Sequence, residues 1–267
     1  MNNVLLAFTL TLIAGLATGI GSLMVLFTKK TDKKFLSFSL GLSAGVMLYV
    51  SFVEILSKSV DSLIPLYGEK LANIYAVIGF FVGIAIIAII DKLVPSMGNP
   101  HEIHTVEEMD GESLEHKNSL MRMGVFTALA IAIHNFPEGL ATFISALEDP
   151  EMGFAITFAI AIHNIPEGIA VAVPIFYATQ NRKKAFNLSL LSGLSEPIGA
   201  LVGYFIFVRY MGDDAFGFIF AAVAGIMVYI SLDELLPAAR EYGEHHISMW
   251  GVVSGMGIMA ISLLLFM

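Results

Sequence analysis

AIAIHNFPEGLA at residues 130–141 and AIAIHNIPEGIA at residues 159–170 are near copies of one another. Each sets His, Asn and Glu, three residue types able to ligate a metal ion, inside a run otherwise too apolar for water. In hydrocarbon, a charged side chain at mid-depth costs about 2.5–3.5 kcal/mol on insertion scales. A chain that accepts this cost twice, at one spacing, marks where its chemistry lies.

The motif has a physical reading. His134 and Glu138 are a helical turn apart, and Asn135 and Glu138 nearly so, which stacks all three on one helix face. Pro137 lacks an N–H and its ring clashes with the carbonyl of Ile133, which predicts a kink and a freed carbonyl beside the polar groups. Gly139 leaves room for a neighbouring backbone. His163, Asn164, Pro166, Glu167 and Gly168 repeat the arrangement, with Ile162 supplying the freed carbonyl. The competing reading is a kinked packing helix whose polar groups bond one another. Two facing copies weigh against it.

Working outward, composition names the solvent. Of 267 residues, 57% are hydrophobic and only 14% charged, far from the balance of a soluble domain. The mean hydropathy is +0.80. Apolar runs long enough to cross a bilayer as helices recur at about 4–27, 35–57, 73–91, 121–146, 152–177, 185–208, 215–236 and 247–266. The first has no basic stretch before it and no small-residue cleavage site, so it is expected to remain as a span. Eight spans in one transmembrane domain over residues 1–267 is the expectation.

Lys and Arg orient the spans. Lys29, Lys30, Lys33, Lys34, Lys92, Lys117, Arg122, Arg182, Lys183, Lys184 and Arg240 fall on alternate connections, 11 of the 14 basic residues. Lys58, Lys70 and Arg209 fall on the others. This predicts both termini outside the cytoplasm, in a multi-pass cell (inner) membrane protein. With no cysteine, disulfides and thiolate sites are excluded, leaving imidazole, carboxylate, amide and thioether ligands. The net charge of −9 comes with no basic patch for nucleic acid.

A second repeat aligns AGVMLYVSFVEIL at 44–56 with AGIMVYISLDELL at 224–236. The copies sit in spans two and seven, which run oppositely, as spans four and five do. Spans 1–3 and 6–8 are thus expected to be related by a pseudo-two-fold axis in the membrane plane, with 4 and 5 between them. The expected fold is thus an all-α, inverted-repeat 3+2+3 bundle, and inverted repeats with a midplane site between them are the architecture of many secondary transporters. Chance similarity of small-residue helices is the bland alternative, weakened by Met, Tyr, Ser and Glu held in register.

Other polar residues carry less. Glu196, in SEPIG at 195–199, has a proline after it that frees the carbonyl of Gly193, and a ligand role is favoured over a bond to a neighbouring hydroxyl. Met47 lies near the middle of span two, where packing competes with ligation. Glu54, Asp233 and Glu234 lie towards span ends, as interfacial acids or cation attractors. The loop at 95–120, with His101, His104 and His116, reads as a flexible charged linker or as a metal-gathering segment.

These features resemble the ZIP (Zrt/Irt-like) family of divalent-metal transporters, and within it the ZupT-like bacterial group, over essentially the whole chain. The resemblance implies a two-metal site of His134, Asn135, Glu138, His163, Asn164, Glu167 and Glu196, with Glu138, Glu167 or both bridging. Met47 is an eighth candidate from its place in span two, where the ligand varies across the family. The expected function is uptake of Zn²⁺, with Fe²⁺, Mn²⁺ or Co²⁺, into the cytoplasm by alternating access. The metal is cargo and no cofactor is expected. Expected partners are divalent ions and the lipid bilayer, with a homodimer left open. An intramembrane zinc hydrolase would show H-E-x-x-H, which is absent, so no enzyme is expected. A passive divalent-cation channel shares every ligand.

Overall fold

The computed structural model describes residues 2–27, 33–93, 114–208, 213–242 and 245–265. Every described element is helical, as a backbone in hydrocarbon requires, since its polar groups find no water to bond. The α-helices are α1 (Asn2–Phe27), α2 (Lys33–Val50), α3 (Leu56–Leu93), α4 (Leu114–Glu148), α5 (Pro150–Thr179), α6 (Arg182–Gly193), α7 (Ser195–Val202), α8 (Asp213–Ile230), α9 (Leu236–Tyr242) and α10 (His245–Leu265). Short π-helical segments at Ser51–Ile55, Gly203–Val208 and Ser231–Leu235 link some of them.

Among the described residues, six helical stretches are long and apolar enough to cross a membrane. One, Ser37–Ile90, runs for 54 residues. Gly68 breaks it, with φ 73° and ψ 160°. A Cβ at Gly68 would meet nothing, so glycine is there for the backbone angle and not for space. Helix α4 is not among the six. It begins with Glu115, Lys117 and Arg122 and carries His134, Asn135 and Glu138 within, and the side chains of much of its first half lie outside the described residues.

The sequence-expected span at 185–208 is interrupted. Helix α6 ends at Gly193, Leu194 forms the junction with its N–H donating to the carbonyl of Leu190 at 3.0 Å, and α7 starts at Ser195. Pro197 has no N–H to offer Gly193, and the carbonyl of Gly193 instead lies against α1, where a Cβ on Gly15 would come within 2.5 Å of it. Helices α4 and α5 continue through Pro137 and Pro166 without losing α-helical geometry.

The most extensive packing joins α3 to α8, α2 to α10, α1 to α5, and α4 to both α5 and α7. Two of the π-helical segments, Ser51–Ile55 and Ser231–Leu235, occupy equivalent positions in the repeat copies that begin at Ala44 and Ala224. Extending that alignment matches Ser37 to Gly217 and Ser59 to Ala239. The Ser37 hydroxyl donates to the Ala239 carbonyl at 2.5 Å, and the Ser59 hydroxyl donates to the Gly217 carbonyl at 2.6 Å. Each bond is the other's counterpart under the alignment, so the two copies are stapled to one another at both ends.

Burial departs from that of a soluble protein at the surface and at the centre. Phe81, Trp250 and Leu265 are more than half exposed, whereas Asn135, Glu138, His163, Asn164, Glu167 and Glu196 are buried. A surface of large apolar side chains around a polar centre suits a hydrocarbon solvent.

Candidate metal site

The duplicated motifs lie on α4 and α5, which pack side by side. Their glycines set how closely the neighbouring helices approach. A Cβ on Gly139 would fall 2.1 Å from the carbonyl oxygen of Glu196, and one on Gly168 would fall 2.0 Å from that of Thr18. Helix α7 therefore rests directly on the α4 motif, and α1 directly on the α5 motif. Small residues permit this because helix association in lipid depends on close van der Waals packing.

Within that framework the polar groups pair across helices. Nε2 of His163 lies 3.2 Å from Oε2 of Glu138, and both side chains are fully buried. The two atoms are within hydrogen-bond distance, and the imidazole donates to the carboxylate in the tautomer that carries hydrogen on Nε2. The Asn135 amide, oriented to satisfy its surroundings, donates to Oε2 of Glu167 at 3.2 Å and to the carbonyl of Ile131 at 3.2 Å. Asn164 donates through Nδ2 to Oε1 of Glu196 and to the carbonyl of Ala14 at 2.8 Å. The Thr142 hydroxyl donates to the carbonyl of Glu138 at 2.8 Å, occupying the turn beyond that carboxylate.

Six of the seven candidates are buried and meet in three pairs: His163 with Glu138, Asn135 with Glu167, and Asn164 with Glu196. The side chain of His134 lies outside the described residues, although its backbone continues α4. Met47 is fully buried on α2 within the apolar core. Residues 94–113, including His101 and His104 of the loop, are likewise outside the description. Among the described residues, no three His, Asp or Glu side chains close on a common point tightly enough to hold an ion. They form donor–carboxylate pairs instead.

Two consequences follow for chemistry. Oε2 of Glu196 and Oδ1 of Asn164 are buried without a hydrogen-bond partner, so this corner presents oxygen acceptors and too few donors. Oxygen and imidazole ligands without thiolate suit a borderline divalent cation. The residue pattern did not reveal the participation of α1. The carbonyl of Ala14 carries no side-chain signal, and Thr18 reads as one small residue in a small-residue helix.

Residues 2–263 match the family model described as ZIP Zinc transporter. The chain is 59% identical to the zinc transporter ZupT of Clostridium perfringens, over 100% of this chain and 98% of that protein. It is 60% identical to the zinc transporter ZupT of Chlorobium chlorochromatii, over 99% of each. A third relative, the zinc transporter ZupT of Lysinibacillus sphaericus, is 60% identical over 98% of each. A family match of this extent identifies a transporter and not an enzyme: the chain belongs to the ZIP zinc transporter family.

Proposed function

We propose that this protein carries Zn²⁺, and also Fe²⁺, Mn²⁺ or Co²⁺, into the cytoplasm by alternating access through a site between α4, α5 and α7. The observation that carries the reading is the contact of His163 with Glu138 across two helices that otherwise exclude water, repeated in kind by Asn135 with Glu167 and Asn164 with Glu196. A divalent ion entering this network exchanges hydrogen-bond donors for itself at every carboxylate. The proposed ligands are His134, Asn135, Glu138, His163, Asn164, Glu167 and Glu196, with Met47 the eighth candidate from α2. The relatives' description as zinc transporters supports Zn²⁺ as cargo. The softer preference for the other ions rests on the mixed nitrogen and oxygen ligands.

The proposed frame has eight crossings in a 3+2+3 inverted repeat. Counting the 54-residue stretch as two crossings and adding α4 takes the six apolar stretches to eight. The matched π-helical segments and the Ser37 and Ser59 bonds support the inverted relationship of the two flanking thirds. The distribution of basic residues supports a cell-membrane orientation with both termini outside.

Zn²⁺ flux into proteoliposomes, measured at several opposing gradients, tests the reading. Saturable flux is the expected result. Flux that never saturates would make the protein a channel, and absence of flux would remove transport altogether.

A further inference from the structure

Several helical Ser and Thr residues of this protein bond back to their own helix. Thr9 donates to the Leu5 carbonyl at 2.8 Å, Thr11 to Ala7 at 2.9 Å, Thr142 to Glu138 at 2.8 Å and Ser231 to Met227 at 2.7 Å. Thr18, fully buried in α1, does not: like the hydroxyls of Ser51, Ser145 and Thr157 among the described residues, its Oγ1 has no hydrogen-bond partner. The acceptor it would use by the same geometry is the carbonyl of Ala14. That oxygen already receives the helical N–H of Thr18 and, at 2.8 Å, Nδ2 of Asn164. A carbonyl has two lone pairs, and both are taken. Asn164 occupies the acceptor that the Thr18 hydroxyl would use.

The position of Thr18 is as telling as its missing bond. Gly168 of α5 packs on the backbone of Thr18 as Gly139 of α4 packs on the backbone of Glu196. One turn away, Gly21 meets the carbonyl of Ile165 and Gly199 meets that of Phe136. Aligning the two motif copies superposes these contacts. Thr18 therefore stands to the α5 motif as Glu196 stands to the α4 motif, at the depth of the site.

We infer that Thr18 is a positioning residue that competes with Asn164 for the Ala14 carbonyl and takes it when Asn164 turns towards the transported ion. This rests on the site proposed above. One NH₂ group of Asn164 serves both Ala14 and Glu196, so an amide that swings aside to free the Glu196 carboxylate leaves Ala14 as well. The Thr18 hydroxyl then gains the bond it lacks in this structure. The cost of an unpaired buried hydroxyl is present before binding and relieved by it, which favours the ligated state. No proton transfer or covalent step is involved.

The test uses Thr18→Val, which keeps the shape and removes the hydroxyl, and Thr18→Ser, which keeps the hydroxyl. Zn²⁺ affinity of the purified full-length variants is measured by calorimetry, and metal-free thermal stability by unfolding in detergent. Thr18→Val should bind Zn²⁺ more weakly by roughly tenfold, yet melt higher without metal, because an unpaired donor has gone. Thr18→Ser should restore the affinity. In an Asn164→Ala background the carbonyl is open to Thr18 throughout, so adding Thr18→Val should now lower metal-free stability and leave affinity unchanged. A Thr18→Val protein with wild-type Zn²⁺ affinity, or one that melts lower without metal while Asn164 is present, overturns the inference and leaves the transport reading intact. A wild-type protein that binds no Zn²⁺ overturns the transport reading instead.

Discussion

Nε2 of His163 on α5 and Oε2 of Glu138 on α4 are 3.2 Å apart, with neither side chain exposed. Each residue shares a helix face with its own motif partners, yet this described contact is made to the other copy. The polar centre is built by the α4–α5 interface, and a change in either motif acts on both helices.

Glu138→Gln and Glu167→Gln should separate binding from folding. Each substitution keeps the shape and a hydrogen-bonding group, so the metal-free protein should fold and reach the membrane. Each removes a negative charge that offsets desolvation of a divalent ion in a dry site, so Zn²⁺ affinity and initial uptake should fall by about a hundredfold or more. Uptake at wild-type rates by both variants would make the duplicated motif a packing device.

Asn164→Asp places a second carboxylate against Glu196, to which Asn164 now donates. Without metal, two buried like charges in contact should lower the melting temperature. With Zn²⁺, the added charge should tighten binding and slow turnover. The signature is a larger Zn²⁺-induced rise in melting temperature than wild type shows, and a smaller or equal rise would count against a ligand role at residue 164.

Gly139→Ala and Gly168→Ala should be severe, because the added Cβ would lie 2.1 and 2.0 Å from carbonyl oxygens of Glu196 and Thr18. Backbone atoms cannot rotate away, so helices must separate, at a cost of about 1–3 kcal/mol or more. Gly257→Ala on α10, where nothing lies within 4 Å, serves as the control and should melt at or above wild type. Equal melting of all three proteins would contradict the close approach.

The absence of cysteine allows clean labelling of single-cysteine variants. Cysteine at Ser62 or Asp149 should react with an impermeant reagent from outside, and cysteine at Ser113 only after permeabilisation. Labelling of Ser113 from outside would reverse the orientation.

Deleting residues 99–113 spares α4, which begins at Leu114. Zn²⁺ transport should persist with altered rate, since the deletion leaves every proposed ligand in place. Loss of all flux in a variant that reaches the membrane would move an essential group into that loop.

Local chemistry made the helices and most of the site legible in the residues alone. An apolar run in hydrocarbon has few options but helix, and a turn of 3.6 residues stacks Asn135 near Glu138 whatever surrounds them. The cost of burying carboxylates in such runs singled out Glu138, Glu167 and Glu196 before any packing was known. What the tertiary structure decided is which donor meets which acceptor. His163 pairs with Glu138 across an interface, Asn164 reaches Glu196 on α7 and Ala14 on α1, and the Thr18 hydroxyl is left without a partner. The break after Gly193 and the paired π-helical segments belong to the same category. Hydrogen bonds are short-ranged, so their partners depend on how closely helices approach. That distance is set by glycines such as Gly139 and Gly168 meeting backbones far away in the chain, which no periodicity along one helix encodes.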